Sequence, residues 1–194
     1  MGLEIERRFL VDGDGWQPHV CWRARLDQGY LVARPDGMTL RVRRTVFDTP
    51  GASDGAWLTL KARPPQSMPA APAREGIVRQ EFEYAIPAED ALALMAMASE
   101  RISKWRHGLD LPGGAWVVDV FEGENAPLVV AEVELESHDQ HVSVPCWCRE
   151  EVTGRHELSN AALARQPLLR WSSLQRARLP AWFAVPPVAS DTIS

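Results

Sequence analysis

The sequence predicts an α+β chain that is mainly β, built on a largely antiparallel sheet. Three observations carry that prediction. At least seven short stretches alternate apolar and charged residues with period two. Most are joined by brief turn-rich segments, which suits antiparallel neighbours. One apolar helical stretch, opening at Pro87, interrupts the series.

Taken in order, residues 3–11 form the first strand. Leu3, Ile5, Phe9 and Val11 share one side, and Glu4, Glu6 and Arg8 share the other. Two acids and a base in line cost desolvation unless they hold something, so this row is the first functional clue. Asp12–Gly15 reads as a turn, residues 25–33 as a short strand, and Arg34-Pro35-Asp36-Gly37 as a tight reversal. Residues 39–46 set Arg41 and Arg43 against Leu40 and Val42, and residues 57–62 set Thr59 and Lys61 against Leu58 and Leu60. Residues 63–76, dense in Pro and Ala, read as a flexible insertion. Residues 78–86 alternate Arg79, Glu81 and Glu83 with Val78, Phe82, Tyr84 and Ile86.

From Pro87 a helix runs to about Ser99, with Pro in its first turn and Glu89 and Asp90 favouring the helix dipole. A short strand at 102–106 carries Lys104 and Arg106. Another at 116–121 is apolar except for Asp119, and residues 128–136 point Glu132, Glu134 and Glu136 away from Val133 and Leu135. Ser159 is the expected N-cap of a helix over 160–165. The organisation implied is one domain over 1–174 and a Pro-rich tail over 175–194.

Composition narrows the function classes. With 45% apolar and 24% charged residues, the 194-residue chain is an ordinary globular protein. No apolar run approaches the roughly 20 residues needed to span a bilayer, and no signal-peptide pattern opens the chain. A cytoplasmic location without membrane association is therefore expected. The net charge of −5 argues against nucleic acid as the main partner. Cys21, Cys146 and Cys148 read as reduced thiols, and the five histidines are too scattered to form a ligand set, with His156, close to Glu151-Val152-Thr153, the one that stands apart.

The charged residues sort by strand: those near 41, 61 and 104 are basic, and the one near 134 is acidic. Solvated faces of an open sheet are one explanation. If the sheet closes, however, charges of both signs line one lumen. Converging Arg and Lys side chains bind phosphate oxygens. Carboxylates beside them reach phosphate through a hard divalent cation with oxygen ligands, and Glu4 with Glu6 and Glu132 with Glu134 meet that need. The implied ligand is a linear polyphosphate or nucleoside triphosphate with Mg²⁺ or Mn²⁺. No Gly-x-x-x-x-Gly-Lys loop occurs, so the chain is not a P-loop enzyme.

Glu4-Ile5-Glu6-Arg7-Arg8-Phe9-Leu10-Val11 resembles the N-terminal Glu-x-Glu-x-Lys signature of CYTH proteins, the triphosphate tunnel metalloenzymes. The resemblance continues through Gln28-Gly29-Tyr30-Leu31, Arg41-Val42-Arg43, Thr59-Leu60-Lys61, Arg79-Gln80-Glu81-Phe82-Glu83-Tyr84 and Lys104-Trp105-Arg106. It extends through Val118-Asp119-Val120-Phe121, Ala131-Glu132-Val133-Glu134-Leu135-Glu136, Pro145-Cys146-Trp147 and Glu151-Val152-Thr153, covering roughly residues 3–165. It implies a closed eight-stranded antiparallel barrel, a tunnel with a charged lumen and flanking helices. It also implies metal binding by Glu4, Glu6, Glu132 and Glu134, and phosphate binding by Arg8, Arg41, Arg43, Lys61, Lys104 and Arg106, with Arg79 a further candidate. Glu83 and Asp119 would hold basic side chains or metal-bound water, and Tyr30 with Lys104 resembles a pair of the bacterial tripolyphosphatase branch. Arg8 stands where the family usually has Lys, which changes reach and geometry.

The function expected is metal-dependent hydrolysis of inorganic triphosphate, with Tyr30, Glu83, Lys104 and Asp119 as catalytic candidates and a homodimer as the expected assembly at most. The alternatives are an adenylate cyclase, a thiamine or nucleoside triphosphatase, and a polyphosphate-binding module without turnover. The full set of acidic positions argues against the last.

Overall fold

The alternating stretches fold into nine strands in this computed structural model: β1 (Gly2–Val11), β2 (Val20–Ala33), β3 (Thr39–Phe47), β4 (Gly55–Ala62), β5 (Ile77–Ala85), β6 (Glu100–Leu109), β7 (Ala115–Phe121), β8 (Val129–Glu134) and β9 (Cys148–Glu151). Among the described residues three α-helices accompany them, α1 (Ala88–Met97), α2 (Asn160–Arg165) and α3 (Ser173–Arg176). The structure describes residues 2–34, 38–62, 77–137 and 139–185, and only the backbone of 2–4 and 77–79. The insertion at 63–76 and most of the turn at 34–37 therefore lie outside the described residues.

All strand pairs are antiparallel, in the order β5-β4-β3-β2-β6-β7-β8-β1-β9. This corrects the expectation of a closed eight-stranded barrel: the sheet has nine strands, and its order runs between two ends, β5 and β9. The ninth strand exists because β8 takes one edge of β1 over Glu6–Leu10, while a further ladder with β5 takes only Gly2–Glu6 of the other. That leaves Phe9–Val11 with open backbone groups, and β9 fills them. Its sequence, Cys-Arg-Glu-Glu, has no apolar alternation by which it could be read. Two other strands outrun their expected limits: β2 starts at Val20 rather than residue 25, and β6 spans Glu100–Leu109 rather than 102–106. Val20–Tyr30 of β2 pairs with β6 along the whole length of β6.

Period two divides each strand between two environments. On β1 the odd residues Ile5, Phe9 and Val11 join Val118, Ala131 and Val133 in a cluster covered by Trp16, Val142 and Trp147. On β3 and β4, Val42 and Ala56 lie under Ala91 of α1. A side chain at Gly29 would meet Ala98 and Met95 at 2.7 Å, so the absence of a Cβ there lets α1 lie against β2.

The opposite face carries the charges, but only part of it is polar. Leu10, Ile102, Phe121 and Val130 share the face of Arg8, Lys104, Asp119 and Glu132, and pack with Val152, Leu158, Leu163, Leu168 and Trp171 of the C-terminal segment. Ser159 accepts a hydrogen bond from the Ala162 N–H and caps α2. Leu179 is buried in the same cluster, with Trp182 and Phe183 packed against it. Each fully buried leucine stabilises the fold by roughly 1.5–3 kcal/mol. Among the described residues no helix is long and apolar enough to cross a membrane.

Candidate active site

The charged part of that face surrounds a cavity of about 530 Å³. Glu6 and Arg8 enter it from β1, Gln28 and Tyr30 from β2, Arg41 and Arg43 from β3, and Lys61 from β4. Glu81 and Glu83 come from β5, Arg106 from β6, and Glu132 and Glu134 from β8. Residues around α2, among them His156 and Asn160, form one wall. Eight Arg and Lys residues and five Glu residues line the space, so positive charge dominates here although the whole chain is negative. A cavity of that sign concentrates anions.

Antiparallel register explains the ion pairs. Lys61 faces Glu81 across the β4–β5 ladder, with Nζ 3.1 Å from the carboxylate. Glu83 accepts from Arg43 at 3.0 Å through both oxygens and from the Thr59 hydroxyl at 2.8 Å. The Arg43 guanidinium also lies 5.1 Å over the ring of Trp57. Burial pushes Arg43 down to about 10, helped by repulsion from Arg41 and Arg106 and opposed by Glu83. The Nε atoms of Arg41 and Arg43 are both buried without a hydrogen-bond partner. Buried donors of this kind call for an acceptor.

A denser network lies along one side. Arg8 Nε donates to Glu132 at 3.0 Å, and its NH2 group donates to the Leu158 carbonyl at 3.1 Å. Arg106 bridges Glu132 and Asp119, donating to the former at 2.6 Å and to both oxygens of the latter at 2.7 Å. Lys104 also donates to Asp119, and to the Asn160 side-chain oxygen at 3.1 Å. Burial raises the Glu132 carboxyl, but Arg106, Lys104 and Arg8 outweigh that and hold it well below the usual carboxylate range. Burial likewise lowers Arg106, and Asp119 and Glu132 more than reverse the effect. For Lys104 burial wins over Asp119 and pushes the amine down to about 8.

The structure thus brings together Glu6, Arg8, Tyr30, Arg41, Arg43, Lys61, Glu83, Arg106, Glu132 and Glu134. Lys104 and Asp119 are fully buried and are not among the residues that line the cavity. Nor does register set Tyr30 beside Lys104: Tyr30 faces Glu100, whereas Lys104 faces Leu26, four residues along β2. Glu4 and Arg79 lie opposite each other in the β1–β5 ladder, and their side chains are outside the described residues. The sequence reading missed the wall around Asn160, and Arg34 and Arg165, which also line the cavity. The only signal was the N-cap at Ser159, which marks a helix but not where it docks.

Glu6 and Glu134 face each other directly in the β1–β8 ladder, both at the cavity. Like charges in that arrangement destabilise a sheet, and two such carboxylates suit a hard, oxygen-liganded cation. Glu132 differs, since both its oxygens already accept from arginines. Among the described residues no group of three or more His, Cys, Asp or Glu side chains is placed to hold a metal.

Residues 2–163 match the CYTH domain. The chain belongs to the CYTH domain family. Among CYTH relatives, a protein of Acetivibrio thermocellus named inorganic triphosphatase is 35% identical over 172 residues, 86% of this chain and 96% of its own. A second inorganic triphosphatase, from Nitrosomonas europaea, is 34% identical over 169 residues, 83% of this chain and 96% of its own. A solved structure of an inorganic triphosphatase, 32% identical, overlays with a TM-score of 0.55 over 84% of this chain and 95% of that one.

Proposed function

We propose that this CYTH protein is a metal-dependent inorganic triphosphatase. The observation that carries the reading is the convergence of Arg41, Arg43, Lys61 and Arg106 with Glu6 and Glu134 on one cavity. The names of the two curated relatives support it. The ladder between β1 and β5 pairs one end strand of the order with the strand next to its other end, which sets Glu6 on the same cavity as Glu81 and Glu83.

In this reading Arg41, Arg43, Lys61 and Arg106 bind phosphate oxygens, the arginines as forks and the lysine as a point charge. Glu6 and Glu134 are the residues that would hold Mg²⁺ or Mn²⁺, with Glu4 two residues before Glu6 on β1. When bound, the cation neutralises phosphate oxygens and orients the chain for in-line attack. Glu83, which lines the cavity, is the carboxylate to which this reading assigns orientation of the attacking water. Asp119 works at one remove: it holds Arg106 through two hydrogen bonds, so that the guanidinium presents a fixed charge to the leaving phosphate. Bulk water is limited by the apolar packing beyond the cavity.

The test is phosphate release from tripolyphosphate, ATP and thiamine triphosphate side by side, with Mg²⁺ and with Mn²⁺, followed also for cyclic AMP. Tripolyphosphate should be hydrolysed fastest, and only with metal present. A preference for either organic triphosphate, or formation of cyclic AMP, would replace this reading. Glu134→Ala should abolish metal-dependent turnover while the protein stays folded; an undiminished rate would remove the metal role of that carboxylate.

A further inference from the structure

We infer that Asn160 is a substrate-binding residue that donates a hydrogen bond to a phosphate oxygen from the C-terminal wall of the cavity. The inference rests on the triphosphatase reading and adds to it a contact from outside the sheet. The argument turns on which way the side-chain amide faces. Asn160 lines the cavity, and its Oδ1 accepts from Lys104 Nζ at 3.1 Å. An ammonium has three donors and no acceptor, so only the oxygen of an amide can face it. The usual ambiguity between the two ends of an asparagine is therefore resolved by chemistry. With the oxygen committed to the buried Lys104, the NH₂ group is the end of the amide left to serve the space that Asn160 lines.

Lys104 is itself fixed. It is fully buried, bound to Asp119, and 5.1 Å over the Phe121 ring. The amide is thus held by a rigid partner and its donor end is preorganised, at little entropic cost on binding. A neutral donor here differs from the arginines around it. It adds a directed hydrogen bond without adding positive charge to a wall that already includes Arg155 and Arg165.

Two substitutions separate this role from a purely structural one. Asn160→Asp is isosteric and keeps an oxygen towards Lys104, but replaces the donor with a carboxylate facing phosphate. Asn160→Ala removes both contacts. A donor to phosphate predicts binding in the order wild type, then Asn160→Ala, then Asn160→Asp. Tripolyphosphate affinity by calorimetry should fall about tenfold in the alanine variant and about a hundredfold or more in the aspartate variant. If Asn160 only held Lys104, the order would reverse, with Asn160→Asp close to wild type and Asn160→Ala weaker, and the inference would be overturned. Equal binding by all three proteins would overturn it too. Thermal unfolding of each variant checks that the comparison is between folded proteins. Should wild type itself not bind tripolyphosphate, the triphosphatase reading fails and takes this contact with it. Failure of the predicted order with wild-type binding intact removes the contact alone.

Discussion

Two stretches of the same sheet face do opposite jobs, and they are made by the same strands. On β1, Leu10 is fully buried among apolar side chains, while Arg8 two residues earlier is buried in ion pairs. On β7, Phe121 and Asp119 differ in the same way, as do Val130 and Glu132 on β8 and Ile102 and Lys104 on β6. At one end the C-terminal segment fills the space with Leu158, Leu163, Leu168 and Trp171; beyond it the space is left to charged groups and a cavity. A fold can therefore hold a row of ionised side chains near its centre because an apolar plug a few ångströms away supplies cohesion that ion pairs do not. If that division of labour is real, changes at the two ends should separate stability from binding.

The largest effect is expected where the charged end is most deeply buried. Asp119→Ala would leave Lys104 and Arg106 without their shared counter-charge. Breaking a buried pair on one side typically costs about 3–5 kcal/mol, and Asp119 is fully buried. Urea unfolding should show a loss of that size. A loss below about 1 kcal/mol would mean that water reaches these groups and the network is not closed.

Next comes the apolar end. Leu168→Ala removes a fully buried side chain from the plug and should cost about 2–5 kcal/mol. Tripolyphosphate affinity of the folded fraction should stay within about threefold of wild type. A large loss of affinity would show that the plug shapes the site as well as supporting it. Arg43→Ala should do the reverse. Its stability cost is expected below about 1 kcal/mol, because Thr59 still donates to Glu83. Affinity should fall about 10- to 100-fold, and the remaining binding should depend less on salt. Unchanged calorimetric affinity would take Arg43 out of the binding set.

What is legible in the sequence follows the same division. Alternation reveals which face a residue occupies, so the chain's own pattern puts Glu6, Arg43, Lys61 and Glu134 on one side. Alternation carries no information about what fills that side. Leu10 breaks the polar row of β1, and nothing in residues 3–11 says that a segment about 150 residues later will cover it. For the same reason the sequence marks Asn160 as part of a helix and not as part of a wall. Lys104 and Asp119 belong to the charged face by pattern alone, yet their full burial depends on neighbours across three strands and on α2. β9 is invisible because its pairing is dictated by vacant backbone groups on β1 rather than by its own side chains.

The pH dependence of stability tests whether the charged end carries a cost that the apolar end does not. Burial pushes the Lys104 amine down to about 8, against the attraction of Asp119. Its value in the unfolded chain is the ordinary one, about 10.4. Between those two values the unfolded chain binds more protons than the folded one, so stability contributed by this group rises with pH across the window. Lys104→Met has no such proton to lose. The unfolding free energy of wild type should therefore gain on that of Lys104→Met as pH increases from about 8 to about 10.4, measured by urea titration at fixed ionic strength. A difference that stays level would mean that Asp119 and Asn160 fully offset the desolvation of the amine. The buried charges would then be as cheaply held as the leucines beside them, and the contrast between the two ends would be one of function alone.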